Sequence, residues 1–198
     1  MSNRQPRLKS LCVFCGSSVG ADPAHREAAG ILGRTMAEQG IRLVYGGGHV
    51  GIMGALAEAV LYNGGHVVGV IPEHLTRMEA AFLEISELIV VDSMHTRKRR
   101  MFDEADAFCV LPGGMGTMDE LFEIITWKQL RLHNKPIIIA NNAGYWDPLI
   151  RLFDSIISGG FAHPQTAAMF TVVDRVEDVL PTAREAMQMA VTGESELF

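Results

Sequence analysis

Short apolar runs rich in β-branched residues alternate with longer amphipathic segments along this chain. The short runs predict buried strands at 11–14, 41–45, 66–71, 87–91, 107–111 and 136–140. The longer segments, whose apolar residues recur three and four positions apart, predict helices at 23–39, 50–63, 93–105, 117–132, 145–158 and 176–190. Because strands that alternate with helices are joined by crossovers, we expect a mostly parallel sheet covered on both faces. The predicted fold is α/β, a Rossmann-like, doubly wound single domain over residues 1–198 with its core at about 9–190.

Length and cysteine usage agree with one soluble domain. The chain has 198 residues, which suits one ordinary domain better than two. It contains neither a secretory hydrophobic core after its polar N-terminus nor the ~18 apolar residues that span a bilayer. Its three cysteines (Cys12, Cys15 and Cys109) suit a reducing compartment better than a disulfide framework. We therefore expect a cytoplasmic protein with a frayed tail at 192–198.

Charge and motif spacing exclude several function classes. The net charge of −6 argues against a general nucleic-acid surface, which needs a broad basic face. The seven histidines lack metal-ligand spacing, and Cys12-x-x-Cys15 has no second pair, so we predict no zinc or other metal. The G-x-S-x-G elbow of α/β-hydrolases is absent. We expect no cofactor, no nucleic acid and no membrane partner.

Two glycine-rich turns follow predicted strands, where ligands of parallel sheets bind. In the turn at 15–18, Gly16 and Ser17 are candidate ligand contacts, although Gly-Ser is also ordinary turn chemistry. The turn at 46–54, which contains Gly47, lacks the spacing and the acidic ribose partner of a dinucleotide site. Close approach of a ligand to Gly47 and tight strand-to-helix packing explain these glycines equally well.

A third turn carries the strongest single signal. Pro112-Gly113-Gly114-Met115-Gly116-Thr117 directly follows a predicted strand and opens a helix. Successive glycines expose backbone N–H groups, and we expect Thr117 to cap the helix, so the turn forms an anion cradle at a positive helix end. The Gly-Lys-Ser/Thr ending of a triphosphate loop is missing. A monophosphate fits this cradle.

Glu120 lies near the start of the helix that follows the third turn. At 100° per residue it shares a side with Ile124 and Trp127, while Met118 and Leu121 belong to a separate apolar stripe. Such a helix is buried on two sides, which indicates a subunit interface as well as a core. Glu120 then faces apolar surface, where a carboxylate becomes more basic or can face a developing cation. The alternative is a glutamate that only complements the helix dipole.

The basic segment at 94–101 divides into two sets when it is drawn as a helix. Arg97 and Lys98 fall on one stripe with Met94 and Met101, whereas the next two arginines point elsewhere. Cations inside an apolar stripe are costly unless an anion meets them. We interpret Arg97 and Lys98 as inward-facing site residues, with a solvated basic face as the alternative.

The motif Pro-Gly-Gly-x-Gly-Thr-x-x-Glu at 112–120, preceded by Met-His-x-Arg-Lys-x-x-Met at 94–101, resembles the LOG (Lonely Guy) family of cytokinin riboside 5'-monophosphate phosphoribohydrolases. Supporting similarity runs from about residue 9 to 180. The resemblance implies that Arg97 and Glu120 are the catalytic pair and that Glu79 and Thr126 line the substrate pocket. It also implies nucleotide binding by Lys98, Gly113, Gly114, Met115, Gly116, Thr117, Met118 and Asp119. Sites near the interface of a homodimer, or of a hexamer, are implied as well.

Members of this family often carry the label "lysine decarboxylase". That chemistry needs a Schiff-base lysine on pyridoxal phosphate, and the lysines of this chain are Lys9, Lys98, Lys128 and Lys135. Only Lys98 falls in a plausible site, beside an arginine, so we reject the label.

Glycosidic cleavage passes through an oxocarbenium-like sugar. Our hypothesis is that Glu120 stabilises that cation or activates water, that Arg97 anchors the substrate, and that the glycine loop holds the 5'-phosphate of an N6-modified adenosine monophosphate. Two rival functions remain: an AMP nucleosidase of salvage without cytokinin preference, and a nucleotide-sensing module that does not cleave.

Overall fold

Seven parallel strands form one sheet in the computed structural model, which describes residues 7–76 and 81–192. In chain order they are β1 (Ser10–Phe14), β2 (Arg42–Tyr45), β3 (Val67–Pro72), β4 (Glu87–Val91), β5 (Ala107–Val110), β6 (Ile137–Ala140) and β7 (Thr171–Val173). Their order across the sheet is β4-β3-β2-β1-β5-β6-β7, and every neighbouring pair is parallel. The predicted doubly wound α/β fold is confirmed.

The seventh strand is the one element of the sheet that the sequence pattern did not predict. β7 has three residues, too few for an alternation or an apolar block to be recognised. It forms because Thr171, Val172 and Val173 pair in register with β6, an edge position that the local sequence does not reveal.

Six α-helices lie within the described residues: five connect consecutive strands, and the sixth follows β7. They are α1 (Pro23–Glu38), α2 (Gly51–Tyr62), α3 (Met94–Asp103), α4 (Met115–Gln129), α5 (Asp147–Ser158) and α6 (Val179–Thr192). The predicted helices are confirmed within a few residues, with α6 preceded by a 3-10 turn at Val176–Asp178. Local capping explains two starts: Asp22 accepts from Ala24 N ahead of α1, and Ser93 accepts from Thr96 N ahead of α3. The predicted frayed tail lies outside the described residues from 193 onward.

The helices cover the two faces of the sheet in sets of three. Alternate residues of β1 separate the two cores, since Leu11 packs with α1, α2 and α6, and Phe14 packs with α3, α4 and α5. In the part of the chain that the structure describes, no helix is both long and apolar enough to cross a membrane.

The strand order reverses at β1, and this reversal positions the site. The chain moves outward on one side through β2, β3 and β4, and on the other through β5, β6 and β7. The turns after β1 and β5 therefore diverge and leave a crevice at the carboxyl end of the sheet. A hydrogen bond of 3.0 Å from Gly16 N to Pro112 O ties the two turns together at the base of this crevice.

Candidate active site

A cavity of about 170 Å³ opens at the carboxyl ends of β1 and β5. Its wall includes Arg97 of α3 and Glu120 of α4, together with Gly46 after β2 and the turns at 15–17 and 114–117. The three glycine turns and the two predicted catalytic side chains thus meet in one place. We call this cavity the catalytic lobe.

A second cavity of about 270 Å³ continues from the catalytic lobe and shares Gly16, Ser17 and Gly114 with it. We call it the tyrosine lobe, because the Tyr145 hydroxyl donates to Gly113 O at 2.7 Å and closes one side. The His25 ring meets the Tyr145 ring edge-on at 5.1 Å between centroids, and its buried Nδ1 has no hydrogen-bond partner. Sequence reasoning missed both residues, although Tyr145 follows the carboxyl end of β6, where ligands of such sheets bind.

Two backbone carbonyls, one within β3 and one directly after β2, hold Arg97 in place. Its side chain is buried, Nε donates to Val70 O at 3.1 Å, and Nη2 donates to Gly46 O at 2.9 Å. The planar guanidinium suits such fixed, multiple donation. The sequence-based expectation that Arg97 points inward is therefore met, and its position in the catalytic lobe is rigid.

Gly46 leaves the space that Arg97 occupies. A Cβ at Gly46 would overlap Nη2 of Arg97 and lie 3.0 Å from Met53 Sδ. The glycine after β2 is thus required by the arginine, a relation between two distant residues that the sequence turn alone does not reveal.

Glu120 is held within the catalytic lobe by the burial of its helix. The residue is 9% exposed, and its neighbours Leu121, Ile124 and Ile125 on α4 are buried in the core. A carboxylate in such surroundings has lost most of its hydration, so a cation that develops beside it is strongly favoured.

The N-terminus of α4 is open, and here the predicted cap is wrong. The helix begins at Met115 with Gly114 as N-cap, and no side chain caps it. Thr117 lies inside the first turn and is 3% exposed. The helix begins two residues earlier than predicted because Gly114, extended at φ −99° and ψ −151°, ends the loop. The first N–H groups of a helix have no partner within it, so the start of α4 presents donors and a positive dipole end at the cavity wall, an environment that favours an anion.

The N-terminus of α2, by contrast, is already satisfied. Ile52 N donates to Ser18 O at 3.3 Å, and Met53 N donates to Gly16 O at 3.2 Å. Gly47, a predicted contact residue, does not line either lobe: a Cβ there would lie 3.2 Å from Ile71 Cβ, and its φ is +80°. The glycines of the second turn therefore serve close packing and turn geometry.

Gly113 is packed so closely against neighbouring residues that it leaves no space for a side chain. A Cβ there would overlap the Thr117 hydroxyl and lie 2.9 Å from Gly16 N. We expect Gly113→Ala to lower the free energy of unfolding by about 1–3 kcal/mol, measured by urea denaturation. Gly116→Ala, where nothing lies within 4 Å, is the matched control and should be neutral or slightly stabilising. Equal losses in the two variants would contradict this account.

Lys98 lies beside the site and does not line either lobe. Its Nζ forms ion pairs of 3.1 Å with Asp119 Oδ2 and Glu123 Oε1. Burial alone would lower the pKa of Lys98, but its hydrogen bonds to the two carboxylates outweigh burial and raise that pKa. Lys98 and Asp119 therefore link α3 to the first turns of α4, where the predicted nucleotide contacts lie.

The other predicted positions are spread around α4. Met118 packs against the core, and Thr126 is exposed, with its hydroxyl donating to Phe122 O at 2.7 Å. Glu79 lies outside the described residues. Arg99 and Arg100, the two arginines that were predicted to point away from the stripe, form i,i+4 ion pairs with Asp103 and Glu104.

The cysteines near the site are held as thiols. Burial, and secondarily the charge of Glu120, raises the pKa of Cys15, which lines the catalytic lobe, and of Cys12 behind it. A buried protonated thiol is a poor nucleophile. Among the described residues, no group of three or more His, Cys, Asp or Glu side chains could hold a metal ion.

Solved structures of low sequence identity share the fold. One is the molybdenum cofactor binding protein of Rippkaea orientalis, at 20% identity and a TM-score of 0.69, covering 93% of this chain and 98% of that chain. Another is the Moco carrier protein of Chlamydomonas reinhardtii, at 18% identity and a TM-score of 0.69, covering 91% of this chain and 98% of that chain. At this identity the likeness concerns architecture alone.

Sequence relatives are much closer. A family model described as "Possible lysine decarboxylase" matches residues 53–183. A probable cytokinin riboside 5'-monophosphate phosphoribohydrolase of Oryza sativa subsp. japonica is 42% identical over 195 residues, covering 95% of this chain and 79% of the relative. A cytokinin riboside 5'-monophosphate phosphoribohydrolase of Rhodococcoides fascians is 44% identical, covering 91% of each. The chain therefore belongs to the LOG family of cytokinin riboside 5'-monophosphate phosphoribohydrolases.

Proposed function

We propose that this protein hydrolyses the N-glycosidic bond of adenosine 5'-monophosphates, N6-modified or plain, and releases the free base and ribose 5-phosphate. One observation carries the proposal: Arg97 and Glu120 are both buried in the wall of a single cavity at the open N-terminus of α4. The two sequence relatives described above are both named as phosphoribohydrolases, which supports this reaction class.

The first turn of α4 supplies the site for the 5'-phosphate. Backbone N–H groups at 115–117 and the positive end of the helix dipole favour a phosphate there. The phosphate is remote from the bond that breaks, so its binding energy holds the ribose in position for reaction. Gly16 and Ser17 border the same space from the opposite turn.

Glu120 then supplies the negative charge that the reaction needs. Departure of the base leaves positive charge at C1' and the ring oxygen of the ribose. A carboxylate fixed on a buried helix stabilises that charge without having to reorganise, or directs the attacking water. Both roles require the ionised form of Glu120.

Arg97 anchors the substrate and remains charged throughout. An arginine does not give up its proton in proteins, so it does not protonate the leaving base. With Nε and Nη2 committed to Val70 O and Gly46 O, its guanidinium is a fixed cation that binds polar groups of the nucleotide and preserves the shape of the lobe. Lys98 acts on the substrate site indirectly, because its ion pair with Asp119 holds the start of α4 in position.

The lysines do not fit decarboxylation. A Schiff-base lysine must be uncharged when it attacks, whereas ion pairs raise the pKa of Lys98. Neither lobe is lined by Lys9, Lys128 or Lys135. The residues at hand therefore support hydrolysis of a nucleotide.

The proposal includes a homodimer, with a hexamer as a larger assembly of the same unit. On α4 and the turn after it, Thr126, Leu130 and Leu132 are exposed in the single chain. A second copy on this side would enlarge the site and bring Thr126 to its border. We place the enzyme in the cytoplasm, which suits the free thiols of Cys12, Cys15 and Cys109.

The decisive experiment incubates the purified protein with AMP and, separately, with N6-isopentenyl-AMP in EDTA, and measures free base and ribose 5-phosphate by chromatography. We expect stoichiometric release of both products. The ratio of kcat/KM for the two substrates decides between cytokinin activation and AMP salvage. Nucleotide binding without product from either substrate would overturn the proposal in favour of a sensing module.

A further inference from the structure

A cavity of about 590 Å³ lies at the amino ends of the strands, at the opposite edge of the sheet from the catalytic lobe. Ile137, the first residue of β6, and Thr171, the first residue of β7, border it. The last turn of α4 contributes Lys128, and α6 contributes Met189. Because no residue of either substrate lobe lines this cavity, a ligand here would not compete with the nucleotide.

The wall of this cavity is divided between apolar and cationic side chains. Ile137, Met169 and Phe170 form an apolar part, and Lys128 and Arg131 carry positive charge. Its volume falls within the range of about 300–1,000 Å³ that is usual for small-molecule sites. The combination is typical of a site for a molecule with one anionic end and one apolar end.

Lys128 is the residue that points to an anion. Its Nζ donates to Lys135 O at 3.2 Å, which is a neutral acceptor, and within the described chain no ion pair involves Lys128. Burial lowers its pKa to about 8. Even for a half-buried ammonium, the lack of a carboxylate partner is costly, and an anion bound beside it removes part of that cost.

His133 does not supply a second cation. Nε2 contacts Ile124 O at 2.8 Å, and Nδ1 accepts from Lys135 N at 3.1 Å, so both ring nitrogens have backbone partners. Burial lowers the pKa of His133, which keeps the ring neutral. The neutral His133 ring therefore only lines the cavity, and the positive charge in the cavity wall comes from Lys128 and Arg131.

We propose that this cavity binds a small amphipathic organic anion, with its carboxylate on Lys128 and its apolar part against Ile137, Met169 and Phe170. This site is additional to the proposed nucleotide hydrolysis and does not depend on it. A medium-chain carboxylate has the size and the division of charge that the wall requires.

The test compares two probes that share an eight-carbon chain and differ in charge, octanoate and octan-1-ol, by isothermal titration calorimetry on the full chain. We expect the unaltered protein to bind octanoate at least about 10-fold more tightly than octanol, a ratio that reflects one charge-assisted contact. In Lys128→Met the affinities for octanoate and octanol should differ by no more than about twofold. Lys9→Met, the same substitution at an exposed lysine, should keep the original ratio.

Three outcomes would overturn the proposal: no binding of either probe to the unaltered protein, an unchanged ratio in Lys128→Met, or displacement of octanoate by AMP. Urea unfolding shows whether Lys128→Met is folded, and we expect it to be, since an apolar side chain of similar length replaces a half-buried charge. Lys128→Gln provides a second neutral variant, in which the same loss of the ratio is expected. Failure of base release would leave these binding results unaffected, so the two proposals are tested separately.

Discussion

Replacing Glu120 with glutamine lowers kcat for base release by at least about 10³-fold and changes KM by less than about threefold, as expected for a contact made chiefly in the transition state. The amide keeps the size of the side chain and removes the negative charge that, in the proposed mechanism, stabilises the developing sugar cation. The apolar residues next to Glu120 on α4 are buried in the core whether or not the carboxylate is present. The variant should therefore fold normally. Steady-state kinetics with AMP and N6-isopentenyl-AMP measure the effect.

Glu123→Gln is the matched control for this prediction. Glu123 lies one turn further along α4, outside the lobe, and pairs with Lys98 at 3.1 Å. Its loss leaves the pair between Lys98 and Asp119 in place, so we expect kcat to stay within about threefold of the original, as for an ordinary partly exposed ion pair. Retention of more than about a tenth of the original kcat by Glu120→Gln would refute the assigned role.

Arg97→Met loses both activity and stability. Two buried carbonyls, Val70 O and Gly46 O, lose their donors, and unsatisfied groups of this kind cost about 1–3 kcal/mol each. We expect the free energy of unfolding to fall by about 2–4 kcal/mol, and kcat/KM to fall at least about 10²-fold at a temperature where the variant is folded. Urea denaturation and kinetics at that temperature separate the two losses.

Two further substitutions serve as comparisons for Arg97→Met. Arg97→Lys restores a charge but lacks the planar fork that reaches both carbonyls, so it should recover part of the activity and little of the stability. Arg99→Met removes an exposed arginine that pairs with Asp103, and it should change the free energy of unfolding by less than about 0.5 kcal/mol. An Arg97→Met protein as stable as the Arg99→Met protein would contradict the structural part of the argument.

Most strands, helices and turns of this protein could be predicted from its sequence, because they are encoded by residues that lie near one another in the chain. Apolar blocks such as 107–111 predict strands, and glycines after a strand predict where the chain turns into a helix. The helical stripe at 94–101 also gave the right orientation for Arg97, since period alone separates inward from outward positions. The family motif then placed Glu120 beside it.

What the sequence did not reveal is decided by contacts between distant segments. Lys98 lies on the same stripe as Arg97 and is largely buried, but its amine pairs with Asp119 and Glu123 on a neighbouring helix. Thr117 has the chemistry of a cap and is buried instead, because the extended backbone of Gly114 starts the helix earlier. Tyr145 was missed for the same reason, since its hydrogen bond to Gly113 O joins segments that are far apart in the sequence.

The hydrogen bond between Gly16 and Pro112 joins residues that are separated by nearly half the chain. The turns that it ties together follow β1 and β5, two paired strands that are separated along the chain by three strand-and-helix units. Closing such a long loop is entropically expensive and slow. Catalytic competence should therefore return late during refolding, and recovery of base release then reports on completion of the central sheet rather than on helix formation.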